Sequence, residues 1–384
     1  MKNNYTIIGG GIIGLSLSIA LARRGNEVNI VEKNSNSNVK NNRFYSLSGK
    51  TKKYLESINI WENIDSVCPI KNMSIYFREI SDKNIVSFSP SMSNKNICYI
   101  LKSSDLWNSL HSHINNYENI NFYDNSTLVD CSQSKDRVSL QLDNGLGFDT
   151  NFLFACDGIN SSVKNFFNIT EKKYDYSSVA ITFNVSHSLS NDRSATQVFL
   201  ESGPIAFLPI DEFSSSIVIT IKKSCLKSIN YNENDALLTL KRTFGNIYGD
   251  FSLTSKIYNF DLFGSETNLY QNNRVILVGD SAHSIHPLAG MGLNIGYSDI
   301  MKISECLDNS IYNYDDKRLF YKYERDQAVI NRRARITLEY IEKIFSSKKK
   351  SIHHLIYTGM YLTNSSNFIK REIMNYANHN LDFG

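Results

Sequence analysis

The chain has 384 residues, of which 41% are hydrophobic and 21% charged, and a net charge of +3. This is a globular composition. It excludes a disordered chain, a collagen, a coiled coil, a disulfide miniprotein and a multi-span membrane protein. The length suggests two domains, or one large domain carrying an insertion. The charge is too mild for a dedicated nucleic-acid binder, so no nucleic acid is expected as a partner.

Residues 5–8 read as a short buried strand. Residues 12–24 read as a helix with Ile13, Leu17, Ala20 and Leu21 on one face. Gly25-Asn26 ends it and residues 28–31 form the next strand, so the chain opens on a βαβ unit. The same stretch imitates a signal peptide, with Lys2, apolar residues 5–22 and an Ala-x-Ala at Ala20 to Ala22. Consecutive glycines, Gly9 to Gly11, would break the apolar helix such a peptide needs. Residues 34–42 are a polar loop, and 50–58 and 104–114 look helical. Strands 138–142 and 148–155 flank the turn Asn144-Gly145. Over residues 179–221 the pattern alternates, with Ala180, Thr182 and Asn184 against Ile181, Phe183 and Val185. That predicts an inserted antiparallel sheet. Residues 274–278 form another buried strand before a Gly-rich helix start, and 315–378 are mostly helical and basic. Cys68, Cys98, Cys131, Cys156, Cys225 and Cys306 are scattered without a CxxC pair, which argues for a reducing compartment.

The residues that carry chemistry sit at strand ends. GGGIIG runs from Gly9 to Gly14, after a strand and before a helix. Gly9 permits the tight turn. Gly11 lets a pyrophosphate approach the backbone and the helix N-terminus, and Gly14 lets the helix pack on the strand. Glu32 follows 18 residues after Gly14, placed to accept from ribose hydroxyls of an adenosine. Together these predict a dinucleotide site; a flexible Gly-rich turn is the plain alternative. Two later segments are FACDGINSSVK at 154–164 and VGDSAHSIHPLAGMGLNIGYSD at 278–299.

With the glycine loop, these segments resemble the three fingerprints of the flavoprotein aromatic hydroxylases, which share the para-hydroxybenzoate hydroxylase fold. They are most similar to the ubiquinone-biosynthesis hydroxylases. The third fingerprint keeps the His-Pro-Leu-Ala-Gly core at His286 to Gly290, and RFYSLS at 43–48 and GPIAFLP at 203–209 match further. The resemblance covers the chain from residue 5 to about residue 378.

The resemblance implies an α/β fold in three parts. A Rossmann-like FAD-binding domain takes residues 1–72, 100–172 and 263–320. An inserted, mostly antiparallel β-sheet substrate domain takes 73–99 and 173–262, and C-terminal helices take 321–384. It implies that Asp280 binds a ribityl hydroxyl and that Arg43 meets the diphosphate or ribityl region. Gly290, Gly292, Leu293 and Asn294 would enter a helix facing the flavin pyrimidine edge. Pro287 and His286 would line the flavin and substrate pocket as the candidate catalytic positions. Ile12, Lys33, Lys102, Val129, Asp157, Gly158 and Gly279 complete the implied cofactor contacts. Asp157-Gly158 belongs to a motif the family uses for both FAD and NADPH. Here Ala155-Cys156 replaces the usual Gly-Ala, and Lys164 replaces an arginine, keeping charge without the fork geometry.

By the same resemblance, NADPH or NADH reduces FAD, O2 then gives a C4a-hydroperoxyflavin, and one OH passes to an aromatic ring. The implied substrate is a polyprenyl phenol in ubiquinone biosynthesis. The alternatives are a hydroxylase of a small soluble aromatic acid, a flavin-dependent isoprenoid or lipid reductase, and a non-catalytic flavoprotein partner. No second GxGxxG follows a strand and no CxxxxC is present, which disfavours two-dinucleotide reductases. No nucleophile elbow is present either. His283 and His286 have metal-pair spacing but no completing ligands, so no metal is expected. His111 and His113 look like surface residues.

Charge is unevenly shared. Residues 317–384 hold 13 Lys/Arg and 6 Asp/Glu, and the remainder is mildly acidic. The basic end, with Lys348, Lys349 and Lys350, suggests contact with an anionic membrane surface or a biosynthetic complex. A solvated basic helix end is the plain alternative. No stretch reaches the roughly 18 apolar residues of a membrane span. The expectation is a cytoplasmic chain, peripheral on the inner face of the membrane.

Overall fold

The computed structural model describes residues 3–34, 43–80, 85–89, 96–228, 232–285, 290–308 and 316–379. Asn4–Ile8, Glu27–Val31, Phe152–Ala155 and Val275–Leu277 are short runs rich in β-branched, aromatic and aliphatic residues, buried almost throughout. Strands apolar on both faces need cover on both sides, the usual condition of a parallel sheet. From one edge the sheet runs Gln271–Asn272, Val275–Leu277, Phe152–Ala155, Asn4–Ile8, Glu27–Val31 and Ile120–Tyr123. Every pairing is parallel except the edge pair at Gln271–Asn272. Register sets Ile8 beside both Val31 and Ala155, and Ala155 beside Leu277. The carboxyl ends therefore stand in a row, the side on which open α/β sheets take ligands.

The helices, in chain order, are α1 (Ile12–Ala22), α2 (Gly49–Ser57), α3 (Ser103–Ile114), α4 (Ser162–Phe166), α5 (Glu233–Tyr248), α6 (Gly292–Asp308), α7 (Tyr321–Phe345), α8 (Lys350–Ser365) and α9 (Asn367–His379). Every residue of α1 from Gly14 to Ala22 is buried, which corrects the one-faced helix its sequence suggests. The sheet covers one side, and α3 and α6 cover the others. Leu17 of α1 and Ile7, Ile30 and Phe154 of the sheet are fully buried. Each such side chain contributes about 1.5–3 kcal/mol.

A larger sheet takes strands from distant parts of the chain. Its order is His283–Ser284, Tyr258–Thr267, Glu171–His187, Ser214–Lys222, Gly203–Pro209, Ser194–Leu200, Asn72–Phe77 and Ile85–Phe88, with Phe251–Leu253 beside Glu171–His187. Its pairings are antiparallel except Ser194–Leu200 with Asn72–Phe77. The alternation expected around residue 181 holds: Ile181, Phe183 and Val185 face a core shared with Val198, Phe207, Ile217 and the buried side of α5. Ala180 is buried as well, while Thr182 and Asn184 on the same face are half-buried. At the other edge Phe345 packs on Phe199 at 4.1 Å and Phe77 at 5.7 Å, and Tyr357 on Phe77 at 5.2 Å. That aromatic cluster pins the α7–α8 junction to the sheet. No helix among the described residues is long and apolar enough to cross a membrane.

Candidate cofactor and active site

The glycine loop leaves Ile8 and enters α1. Gly9 has φ +106°, and a Cβ there would lie 2.4 Å from the Cys156 carbonyl oxygen. A Cβ on Gly14 would lie 1.9 Å from the Gly9 carbonyl oxygen. A Cβ on Gly11 would meet no atom within 4 Å. Two glycines are thus closed by backbone and the third opens outward at the N-terminus of α1, where N–H groups lack intrahelical partners. That is the geometry of an anion cradle. Ile12, half-buried, begins the helix beside it.

Glu32 stands at the end of the second strand and does two things. Its Oε2 accepts from the Gly10 N–H at 2.7 Å, and its Oε1 accepts from the Asn34 N–H at 2.9 Å and Asn34 Nδ2 at 3.0 Å. An ionised carboxylate has about four acceptor positions, so capacity remains for a hydroxyl. Lys33 is exposed next to it. The Ser126 N–H donates to the Glu32 carbonyl at 3.0 Å, which brings the start of strand Leu128–Gln133 alongside; Val129 is exposed on that strand. Under the loop, Trp107 of α3 donates its indole N–H to the Gly10 carbonyl at 2.9 Å. His111 stacks on Trp107 at 4.6 Å and meets Phe122 edge-on. His111 is therefore packed on aromatic faces, where only a surface position was expected, and burial lowers its pKa. Lys102 is half-buried at the N-cap of α3.

Asp157 and Gly158 follow strand Phe152–Ala155. Asp157 Oδ2 accepts from the Ser162 N–H at 2.8 Å and hydroxyl at 3.1 Å, and Oδ1 accepts from the Ser281 hydroxyl at 3.2 Å. The Ser281 Oγ in turn accepts from the Gly158 N–H at 3.0 Å. One serine thus ties the second fingerprint loop to the third. Lys164 is buried, donating to the Ile159 carbonyl at 2.9 Å and to Glu171 at 2.5 Å. Its charge braces the loop internally.

Gly279, Asp280 and Ser281 form a tight turn after Val275–Leu277. Asp280 is open to solvent, yet protein crowds it on its other sides, so it lines a cleft. Burial raises its carboxyl pKa above the ordinary 3.8; His283 and Arg43 pull it down, Asp299 adds to the rise, and the balance is upward. Arg43 lies over the Phe260 ring at 4.6 Å, and its charge, like that of Asp280, reaches the phenol of Tyr45. Arg43, Tyr45 and Asp280 therefore lie near enough to influence one another electrostatically. Asn294, in the first turn of α6, has its side chain committed to the protein. Its Oδ1 accepts from the Ser48 N–H and the Thr51 hydroxyl, both at 2.8 Å, and its Nδ2 donates to the Ser46 carbonyl at 2.8 Å. It clamps segment 46–51 against the start of α6, where Gly290, Gly292 and Leu293 are half-buried. His286 and Pro287 lie outside the described residues.

Two residues sit directly beneath this turn: His283, read in the sequence only as half of an uncompleted metal pair, and Asp299, to which the sequence reading gave no role. His283 Nε2 and Asp299 Oδ2 are 2.6 Å apart, both side chains buried. The same Oδ2 accepts from the Gly279 N–H at 2.9 Å. The Tyr270 ring stacks on the imidazole at 5.7 Å. The available signal was Asp299, an acid closing an otherwise apolar and small-residue helix start.

These features fit FAD: an open diphosphate cradle, a carboxylate at each end and a helix N-terminus between them. One consequence concerns Asp280 itself. Its folded pKa is raised, so the penalty on its ionisation is absent below 3.8 and complete above the folded pKa. The apo Asp280→Asn variant should therefore melt above wild type at neutral pH, and the difference should vanish in acid. Its FAD affinity should fall at least about tenfold, the loss of one hydrogen bond to a charged acceptor. Apo melts against pH and FAD titrations check both; equal apo melting points at neutral pH would refute the electrostatic part.

The fold and the site define a flavin-binding α/β protein with a second, antiparallel sheet. Residues 3–335 match the FAD binding domain family. A ubiquinone hydroxylase, UbiM, of Neisseria meningitidis is 22% identical over 309 residues, covering 78% of this chain and 67% of that protein. The mitochondrial ubiquinone biosynthesis monooxygenase COQ6 of Drosophila melanogaster is 23% identical, covering 96% of this chain and 88% of its own length. Among solved structures, p-nitrophenol 4-monooxygenase PnpA of Pseudomonas putida superposes with TM-score 0.80 at 16% identity, over 98% of both chains. HpxO of Klebsiella pneumoniae, solved with FAD and uric acid, has TM-score 0.78 at 16% identity, over 99% of this chain and 96% of its own. The chain belongs to the FAD binding domain family and is an FAD-dependent monooxygenase of the aromatic hydroxylase type.

Proposed function

We propose that the chain hydroxylates the ring of a polyprenyl phenol in ubiquinone biosynthesis, with NADPH or NADH as electron donor and O2 as co-substrate. The observation that carries this reading is the similarity to ubiquinone biosynthesis monooxygenases over as much as 96% of the chain and to ubiquinone hydroxylases over 78%. The division into FAD-binding, substrate and helical parts given under Sequence analysis goes with it.

Bound FAD supplies the redox and oxygen-transfer chemistry. The protein's share is binding, orientation and charge. The loop Gly9 to Gly11 and the start of α1 receive the diphosphate, and Glu32 receives the adenosine ribose. Asp280 accepts from the ribityl chain, with Arg43 beside it. The N-terminus of α6, at Gly292 and Leu293, favours negative charge at the pyrimidine edge. The substrate-side role proposed for His286 and Pro287, which lie outside the described residues, rests on the family resemblance alone. Lys164, in place of the family arginine, is buried and engaged with Glu171 and Ile159.

Lipid-quinone profiling of a deletion strain tests the reading, paired with O2-dependent NAD(P)H oxidation by the purified holoenzyme. An accumulated intermediate one hydroxyl short supports it. An unchanged quinone profile, with oxidation stimulated by small aromatic acids, would replace it with the soluble-substrate reading. Turnover without O2 would point to a reductase.

A further inference from the structure

The outer surface of the C-terminal helices is unusually apolar. Leu355 (68% exposed), Tyr361 (68%) and Leu362 (55%) on α8, and Phe368 (65%) on α9, present large side chains to solvent, with Ile369 and Ile373 beside them. The opposite sides of these helices are already used. Ile356, Met360 and Met374 pack into the core under Phe77 and Phe199, and the Phe345 and Tyr357 rings fix the helices to the sheet. The exposed residues are therefore a second apolar face on elements whose inner face is satisfied. Together they expose on the order of several hundred Å², at the upper end for a monomer surface and the kind of patch that marks an interaction site.

Charge decides what covers it. Between residues 343 and 375 the chain carries six Lys/Arg and one acid, Glu372. Lys348, Lys349 and Lys350 stand exposed at the start of α8, and Arg371 is exposed on α9. Lys348 is loosely paired with Glu201 at 3.3 Å, both groups mostly in solvent. A second copy docking through this face would bring two sets of like charge together. An anionic bilayer is complementary to both the apolar residues and the basic ones, as for helices that lie in the interface plane.

We infer that the outer face of α8 and α9 docks on an anionic lipid surface, with Leu355, Tyr361, Leu362 and Phe368 entering the acyl boundary and Lys348 to Lys350 meeting headgroups. This inference stands independently of the substrate assigned above. It goes beyond a purely electrostatic basic tail, because it requires the apolar side chains as much as the lysines.

The experiment is flotation of the FAD-loaded full chain with vesicles of phosphatidylcholine alone and of equimolar phosphatidylcholine and phosphatidylglycerol. The expected result is recovery with the anionic vesicles at least about tenfold above the zwitterionic ones, since each basic residue near the surface contributes about fivefold. The pair Leu362→Ser and Phe368→Ser should abolish recovery, and so should Lys348→Ala, Lys349→Ala and Lys350→Ala together. Leu238→Ser, at an exposed leucine on α5, should leave it unchanged. Retained flavin absorbance in each variant certifies the fold. Equal recovery from both vesicle types, or recovery indifferent to the Leu362 and Phe368 changes, overturns the inference. So does a stable dimer that fails to float and that Leu362→Ser with Phe368→Ser converts to monomer; in that case a second copy covers the face.

Discussion

Alanine at Gly14 is expected to yield a chain that neither folds stably nor holds flavin, and alanine at Gly11 a folded protein with weakened flavin binding. The difference lies in what each new methyl meets. At Gly14 it would lie 1.9 Å from the Gly9 carbonyl oxygen, and Gly9 is itself pressed against the Cys156 carbonyl. Backbone on both sides cannot yield as a flexible side chain would. Overpacking of this kind costs about 1–3 kcal/mol where side chains can shift, and more where they cannot. At Gly11 the methyl meets no atom within 4 Å, and the backbone (φ −73°, ψ −178°) suits any residue. The folding cost there is at most about 1 kcal/mol, that of a poorer N-cap. The methyl would stand in the path proposed for the diphosphate. Losing two charge-assisted hydrogen bonds, about 1.5 kcal/mol each, lowers FAD affinity roughly a hundredfold. Flavin absorbance per protein and thermal melts with and without FAD separate the two outcomes. A yellow Gly11→Ala protein of wild-type affinity would mean that the diphosphate lies elsewhere.

The second large effect concerns the pair beneath the Gly279–Ser281 turn. Removing one partner of a buried ion pair costs about 3–5 kcal/mol, because the other charge is left without compensation. His283→Gln should be destabilised on that scale below pH 6.5, where the imidazole is charged, and should lose FAD more readily, since Asp299 also holds the Gly279 N–H. The pH dependence has a definite sign. Burial opposes the charged imidazole. The charge of Asp299, its hydrogen bond, and the charges of Asp280 and Glu266 outweigh that, and the folded pKa of His283 is raised above 6.5. A raised histidine contributes stability that is complete below 6.5 and is lost as pH rises through the folded value. Wild type should therefore shed stability as pH rises from 6.5 through the folded value, and His283→Gln should show a flatter curve and converge toward wild type. Parallel curves for the two proteins, measured as apo melting points against pH, would remove His283 from this role. FAD retention across the same range reports whether the turn depends on the pair.

Both effects sit in one cleft, yet they differ in how far the sequence showed them. The glycines and Glu32 were readable because a strand, a turn, a helix and a second strand lie within one short stretch of chain. The spacing there is set by local geometry alone. Asp280 was readable for the same reason, as an acid at a strand end. The serine that joins the second and third loops was not, because Ser281 and Asp157 are 124 residues apart. Nor was Trp107, which supports the Gly10 carbonyl across a separation of 97 residues. Asn294 was expected at the cofactor, and its side chain proves to hold segment 46–51 in place.

Helix α1 makes the same point about packing. Its sequence suggests one apolar face, and its neighbours bury all of it. Periodicity records which side chains tolerate burial; only the arrival of α3 and α6 from far along the chain decides how many sides are covered. By itself, the sequence determined that the chain is a dinucleotide-binding α/β protein, that an alternating sheet interrupts it, and that a basic helical end follows. Those properties follow from spacing, alternation and charge, each of which acts over a few residues. The tertiary structure alone decided that His283 meets Asp299, that Lys164 is spent inside the protein, and that the basic end carries an exposed apolar face. Each of those depends on which distant segments the folded sheets bring together, and no local pattern encodes that.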